Sequence, residues 1–227
     1  MSAPSLKERL AGGQVCTGTF VLFLAGGDVA QCLAGLGFDY FILDTEHSAF
    51  DLRDVRQTVL AARASGIAPL VRVPDVHYDL VARVLDAGAE GVMAPRVETR
   101  QQVESLVRFS RYPPAGVRGI STFTGHNDFT RIADVPTFLA ERNARVMVLV
   151  QIETVAGVAN RQEILSTPGL DACFVGTGDL AMGMGYAGQP DHPAVREAAR
   201  QVLQTCRECG LIATVPVRHP DHVEGWR

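Results

Sequence analysis

FILDTEHSAF, residues 41–50, starts as a buried strand and turns polar within one residue. Phe41, Ile42 and Leu43 demand an apolar core, and Asp44, Glu46 and His47 follow at once. Taken alone, this reads as a polar loop capping a strand. The pattern recurs, however. APLVRVP (68–74) delivers Arg72, VMVLVQIET (146–154) delivers Gln151 and Glu153, and ACFVGTGDL (172–180) delivers Asp179 behind a short glycine turn. Four apolar runs that end in ionisable groups indicate a shared, functional sheet edge.

The runs between these points support a parallel sheet. Strand-like segments fall at 17–24, 40–43, 69–73, 91–94, 145–152, 172–176 and 211–217, with amphipathic stretches between them. Leu52, Val55 and Val59 share one helical face, as do Leu80, Val81, Val84 and Leu85. Val195, Ala198, Ala199, Val202, Leu203 and Cys206 form the clearest 3.6-residue stripe, with Pro193 near its start and Gly210 at its stop. Strand–helix alternation at this spacing gives βαβ units, and near-continuous apolar strands fit a sheet covered on both faces. A (β/α) barrel and a doubly wound sheet both satisfy the pattern. In either, the carboxyl ends of the strands carry the chemistry. The segment from about Tyr112 to Pro136, which holds RYPPAGVRGISTFTGHNDFT (111–130), fits neither period, and long irregular segments of this kind are often functional.

Composition narrows the function classes. With 227 residues, 47% hydrophobic and 20% charged, the chain fits one large globular domain or two small ones, and a single domain spanning 1–227 is expected. A formal charge of −4 and the lack of a long basic run give no support to nucleic-acid or membrane-surface binding. No apolar run approaches a membrane span, and the first residues lack the apolar core of a secretory signal, so a cytoplasmic location is expected. Cys206 and Cys209 form a C-x-x-C without a second pair or a histidine at ligand spacing, which leaves zinc and redox roles unsupported. Gly183-Met-Gly185-Tyr-Ala-Gly188 matches G-x-G-x-x-G literally, but it lacks the strand before and the helix after, so no NAD is expected. Lys7 is the sole lysine, placed ahead of the first strand. Schiff-base chemistry and covalent PLP both need a pocket lysine, so neither is expected.

The polar residues support a different chemistry. Glu153 and Asp179 are carboxylates without a cysteine partner, which favours a hard divalent ion such as Mg²⁺ or Mn²⁺. Arg72 can stabilise an oxyanion, and it remains charged. His47 is the natural general base, with Asp44 as a candidate orienting partner. The turn Gly176-Thr177-Gly178 lets backbone N–H groups approach an anionic substrate. Structural alternatives stay open for three of these residues. Glu153 and Arg72 could form an ion pair, Asp179 could cap a helix, and Asp44 could hold an Asx-turn. His77, His192, His219 and His222 read as surface histidines, whereas His126 sits in the long irregular segment.

ILDTEHSAFD (42–51), PLVRVP (69–74), LDAGAEGVMAPRVET (85–99), GVRGI (116–120), VLVQIET (148–154), GTGDLAMGMGYAG (176–188) and HPAV (192–195) together resemble the HpcH/HpaI aldolases, metal-dependent pyruvate aldolases. The resemblance implies a TIM-type (β/α)8 barrel of the phosphoenolpyruvate/pyruvate superfamily, with Mg²⁺, Mn²⁺ or possibly Co²⁺ held by Glu153 and Asp179. It implies His47 as proton acceptor, Arg72 as transition-state stabiliser, and substrate contacts from Gln151, Thr177 and Gly178. It also implies that Asp86 reaches the histidine of a neighbouring subunit in a homo-oligomer, a hexamer built as a trimer of dimers. The implied reaction cleaves a 4-hydroxy-2-oxo acid to pyruvate and an aldehyde, and runs in reverse as an aldol addition. An acyl-CoA lyase of the malyl- or citramalyl-CoA type, or a degenerate non-catalytic barrel, are the alternatives. Two departures from the family pattern stand out. The turn reads Gly176-Thr-Gly178-Asp179-Leu180 where the family has G-P-x-D-L. The chain also ends at VRHPDHVEGWR (217–227), after the seventh expected strand and an apparent helix start, so a barrel without its eighth strand and last helices is expected.

Overall fold

The computed structural model of the chain describes residues 4–217 and 219. The helix start expected within 218–227, and His222, lie outside those residues. Element order is α1 (Leu6–Ala11), β1 (Gly18–Val21), α2 (Gly27–Gly35), β2 (Tyr40–Asp44), α3 (Leu52–Ser65), β3 (Ala68–Arg72), α4 (Tyr78–Asp86), β4 (Gly91–Ala94) and α5 (Arg100–Ser110). A 3-10 turn (Gly125–Asn127) and α6 (Val135–Arg145) lead to β5 (Met147–Ile152), α7 (Val155–Ala159), α8 (Arg161–Leu165), β6 (Ala172–Val175), α9 (Thr177–Gly183), α10 (Pro193–Glu208) and β7 (Ile212–Thr214). The strands are parallel, in sequence order from β1 to β7. This is an α/β fold. A closed eight-stranded barrel is not formed by the described residues, which supply seven strands, as the sequence implied.

The chain divides into two compact units: 1–94 with 105–148, and 95–104 with 149–227. In the first unit, β1 registers Val21 against Leu43, and β2 registers Asp44 against Arg72. All five residues of β3 and all four of β4 are buried, which explains why both read as unbroken apolar runs. α3 is closed at its start by a reciprocal capping box between Asp51 and Asp54. It stops at Gly66, whose φ of 75° is the left-handed geometry that glycine adopts without penalty. Its stripe buries Val55, Val59 and Ala62, and that of α4 buries Val81, Val84 and Leu85. β1 is shorter than the expected 17–24. Its ladder ends at Val21, and Phe23 and Leu24 stand exposed beyond it.

In the second unit, every residue of β5 is buried, and Gln151 registers against Phe174 of β6. α10 starts with Pro193, and His192 Nδ1 accepts the Ala194 N–H at 3.3 Å, so this histidine is a cap. Of the expected stripe, Val195, Ala199, Val202, Leu203 and Cys206 are its buried face, and Ala198 is half-buried. β7 holds only three residues of the expected 211–217. No helix among the described residues is long and apolar enough to cross a membrane.

Candidate active site

At the carboxyl edge of the first unit, Asp44 and Arg72 meet because their strands place them directly opposite. Arg72 Nε donates to Asp44 Oδ1 at 2.9 Å and a terminal nitrogen donates to Oδ2 at 2.6 Å, a bidentate fork. Burial by itself would push the Asp44 carboxyl up. The Arg72 hydrogen bonds, the Glu46 and His47 N–H groups and the Arg72 charge outweigh it and hold the group below its usual range. The other terminal nitrogen of Arg72 lies 3.0 Å from Glu46 Oε2. On one side the guanidinium rests against the Phe20 ring, 5.0 Å from its centroid.

The expected pairing of Asp44 with the His47 ring is therefore corrected. Asp44 Oδ1 accepts from the backbone N–H of Glu46 at 2.9 Å, the Asx-turn alternative, while its side chain serves Arg72. The group nearest the imidazole is Glu46, with Oε2 3.7 Å from His47 Nε2. His47 is 58% exposed at its side chain, open enough to reach a substrate. Glu46 was read in the sequence only as part of the polar cluster and was given no role there.

Asp86 closes α4, where Arg118 donates to it at 2.7 Å and His126 Nδ1 lies 3.6 Å away. Burial opposes ionisation, but these two neighbours prevail and hold Asp86 below the usual carboxylate range. Within the chain, then, Asp86 is engaged by its own Arg118 and His126. His126 is 3% exposed rather than superficial.

The second unit places Gln151, Glu153, Thr177, Gly178 and Asp179 at the ends of β5 and β6. Glu153 is 2% exposed, and Oε1 accepts the Arg96 N–H at 3.0 Å. Oε2 accepts from the Gln151 amide. Glu153 is pushed up to about 7, chiefly by burial, with the Asp179 charge adding to the rise against the hydrogen bonds from Gln151 and Arg96. Asp179 lies in the first turn of α9, behind Gly176, so it is not the helix cap. Thr177 is buried and Gly178 exposed. Gly176 is required sterically, since a Cβ there would come within 2.6 Å of Glu153 Cβ and 2.9 Å of Gln151 Nε2. Arg96, which sequence reasoning missed, sits at φ 51°, a left-handed conformation uncommon for a non-glycine residue. Only a glycine there would have advertised it.

Among the described residues no group of three or more His, Cys, Asp or Glu side chains is placed to hold a metal ion. The Glu153–Asp179 pair is a two-oxygen donor set of like charge. It fits a hard divalent cation that keeps its other positions for water or substrate.

A sequence model of the family described as HpcH/HpaI aldolase/citrate lyase matches residues 19–226. The chain belongs to this family. It is 37% identical over 209 residues to a 4-hydroxy-2-oxovalerate aldolase of Rhodococcus jostii, covering 91% of this chain and 78% of that protein. Its fold superposes on the crystal structure of an HpcH/HpaI aldolase from Desulfitobacterium hafniense with a TM-score of 0.93 at 33% identity, covering 99% of this chain and 86% of that one. The citrate synthase SbnG gives a TM-score of 0.88 at 29% identity, with 98% and 85% covered. Membership in the HpcH/HpaI family and the names of these relatives support an aldolase or lyase activity.

Proposed function

We propose that the chain is a divalent-metal-dependent aldolase that cleaves a 4-hydroxy-2-oxo acid to pyruvate and an aldehyde. The observation that carries this reading is the buried Glu153 carboxylate at the end of β5 with the Asp179 carboxylate from the first turn of α9 raising its proton affinity, a repulsion that a divalent cation would relieve. When bound, such an ion supplies Lewis acidity toward the 2-oxo acid. The remaining steps belong to side chains. Gln151 and Arg96 N–H hold the Glu153 carboxylate in one orientation. Asp44 fixes the plane of Arg72, so its charge is preorganised for the enolate that develops as the C3–C4 bond breaks. His47 takes the 4-hydroxyl proton, the bonding electrons pass to the pyruvate fragment as its enolate, and the other fragment leaves as the aldehyde. Protonation of the enolate carbon completes pyruvate. The lone Lys7 in α1 leaves no lysine at the strand ends for an imine route.

The citrate synthase neighbour supports a second reading, carbon–carbon chemistry on a citrate-like or acyl-CoA substrate. The test is pyruvate release from racemic 4-hydroxy-2-oxo acids with Mn²⁺, with EDTA, and with His47→Ala. Release that EDTA abolishes and His47→Ala weakens supports the aldolase. No release from folded, metal-loaded protein across several such acids refutes it and moves the search to CoA thioesters.

A further inference from the structure

The loop that follows β2 is pinned at several points. Thr45 donates its N–H at 3.0 Å and its hydroxyl at 2.6 Å to the Arg72 carbonyl oxygen, which locks residue 45 to the end of β3. Extended backbone alternates its side chains, so Asp44 and Glu46 fall on the same side of Thr45, and both reach the Arg72 guanidinium. Asp44 Oδ1 accepts the Glu46 N–H at 2.9 Å, the Ser48 hydroxyl donates to the Asp44 carbonyl, and the Phe50 N–H donates to the Ser48 hydroxyl at 3.2 Å. Glu46 and His47 are therefore carried on a fixed backbone.

A single oxygen of this loop stands between the guanidinium and the imidazole. Glu46 Oε2 lies 3.0 Å from a terminal nitrogen of Arg72 and 3.7 Å from His47 Nε2. The Glu46 side chain is 12% exposed and that of Arg72 is 7% exposed, so solvent screens their pairing little. The approach to His47 is longer than a hydrogen bond, as expected of a contact that tightens only when charge develops on the ring.

The chemistry of the carboxylate selects the tautomer. An ionised carboxylate accepts and cannot donate, so the proton of the neutral ring belongs on Nε2, facing Glu46. The lone pair is then on Nδ1, which has no hydrogen-bond partner among the described residues. Charge sets the direction of the effect. Asp44 and Glu46 bring two negative charges and Arg72 one positive, so the cluster is neutral only when the His47 ring is charged. These charges come from the ring's own loop and from β3. Phe20 of β1 rests on Arg72, 5.0 Å from the guanidinium, and adds none. Asp44 cannot replace Glu46, because its two oxygens are committed to Arg72.

We propose that Glu46 is a positioning residue, whose carboxylate fixes His47 with Nδ1 as the basic nitrogen and stabilises the imidazolium formed when Nδ1 takes the 4-hydroxyl proton. This assignment rests on His47 being the base of the proposed aldolase. In that step the substrate O–H bond breaks, an Nδ1–H bond forms, and the new positive charge is matched by Glu46. The arrangement is that of any base held by a third group, which fixes both tautomer and orientation.

Long-range ¹⁵N–¹H spectra of the histidine rings, with the His47 signals assigned by their loss in His47→Ala, test the pairing without any turnover. The neutral His47 ring of the parent protein should carry its proton on Nε2. Glu46→Gln keeps the shape and removes the charge, so the ring should bind its proton about threefold to tenfold more weakly and titrate at lower pH. Glu46→Asp, whose charge lies one methylene farther away, should recover part of that shift. His77, an exposed ring beside Asp75, should titrate as in the parent. The acid limb of kcat/KM for pyruvate release should move to lower pH together with the ring, with KM nearly unchanged. A role confined to holding the loop would lower activity at every pH and leave the limb in place. Circular dichroism confirms that each variant is folded. A parent ring protonated on Nδ1, or a His47 titration that Glu46→Gln does not move, overturns the proposal. A ring that shifts as expected, in a protein that releases no pyruvate, upholds the pairing of Glu46 with His47 and counts against the aldolase reading alone.

Discussion

Asp44 and Glu153 are carboxylates at the carboxyl ends of buried parallel strands, yet their neighbours drive them in opposite directions. Asp44 faces a guanidinium and two backbone N–H groups, and it is held ionised. Glu153 faces an amide, one N–H and a second carboxylate, and it is pushed up to about 7. Burial opposes ionisation at both positions. The difference lies in the neighbours: Asp44 has a positive charge that is covalently part of the chain, and Glu153 has a second carboxylate instead. Under the proposed function, a divalent cation would supply the charge that Glu153 lacks.

The sharpest way to break this contrast is Glu153→Gln, which keeps shape and removes the charge. Metal-supported pyruvate release should fall by more than the roughly 100-fold typical of outer-shell changes at metal sites. Calorimetry should show divalent binding lost, and retention of both would end the comparison. Next comes Arg72→Met, which strands Asp44 without its cation. It should destabilise the fold by about 3 kcal/mol, read as a lowered urea midpoint at unchanged slope. Adding Asp44→Asn should recover part of that loss.

A pH series separates the two groups by sign. Glu153 binds its proton more tightly folded than unfolded, so in metal-free protein its contribution to stability falls as pH rises from about 4.5 to about 7. Mn²⁺ or Glu153→Gln should remove that decline. Asp44 behaves oppositely: its contribution is present above the ordinary value of 3.8 and is lost as pH falls through its lower folded value. The smallest effect expected is that of Glu46→Gln, a few-fold fall in turnover with the divalent affinity unchanged. Turnover equal to the parent would show that the 3.7 Å approach of Glu46 to His47 has no consequence.

Much of this was legible in the sequence because it depends on short-range rules. Parallel strands covered on both faces read as apolar runs, and the ends of those runs carry Asp44 and Arg72. The edge that carries Glu153 and Asp179 followed from the same rule. What stayed hidden depends on backbone conformation or distant packing. The left-handed Arg96 carries no residue-type signal, and the capture of Asp44 by Arg72 rather than His47 is decided by strand pairing, not by sequence distance. Arg118 and His126 lie 32 and 40 positions beyond Asp86, joined by a segment without periodicity, so no pattern predicted their meeting. β1 and β7 were over-extended because apolar residues such as Phe23 and Leu24 look alike whether buried or exposed.

The scarcity of lysine also has a practical side. Lys7 offers the only side-chain amine in the chain, and its neighbours Leu6 and Arg9 on α1 line an arginine-rich cavity. An amine-reactive fluorophore therefore has one side-chain address, beside that cavity. Once any terminal amine is blocked, the dye reports the surroundings of α1 without mutagenesis.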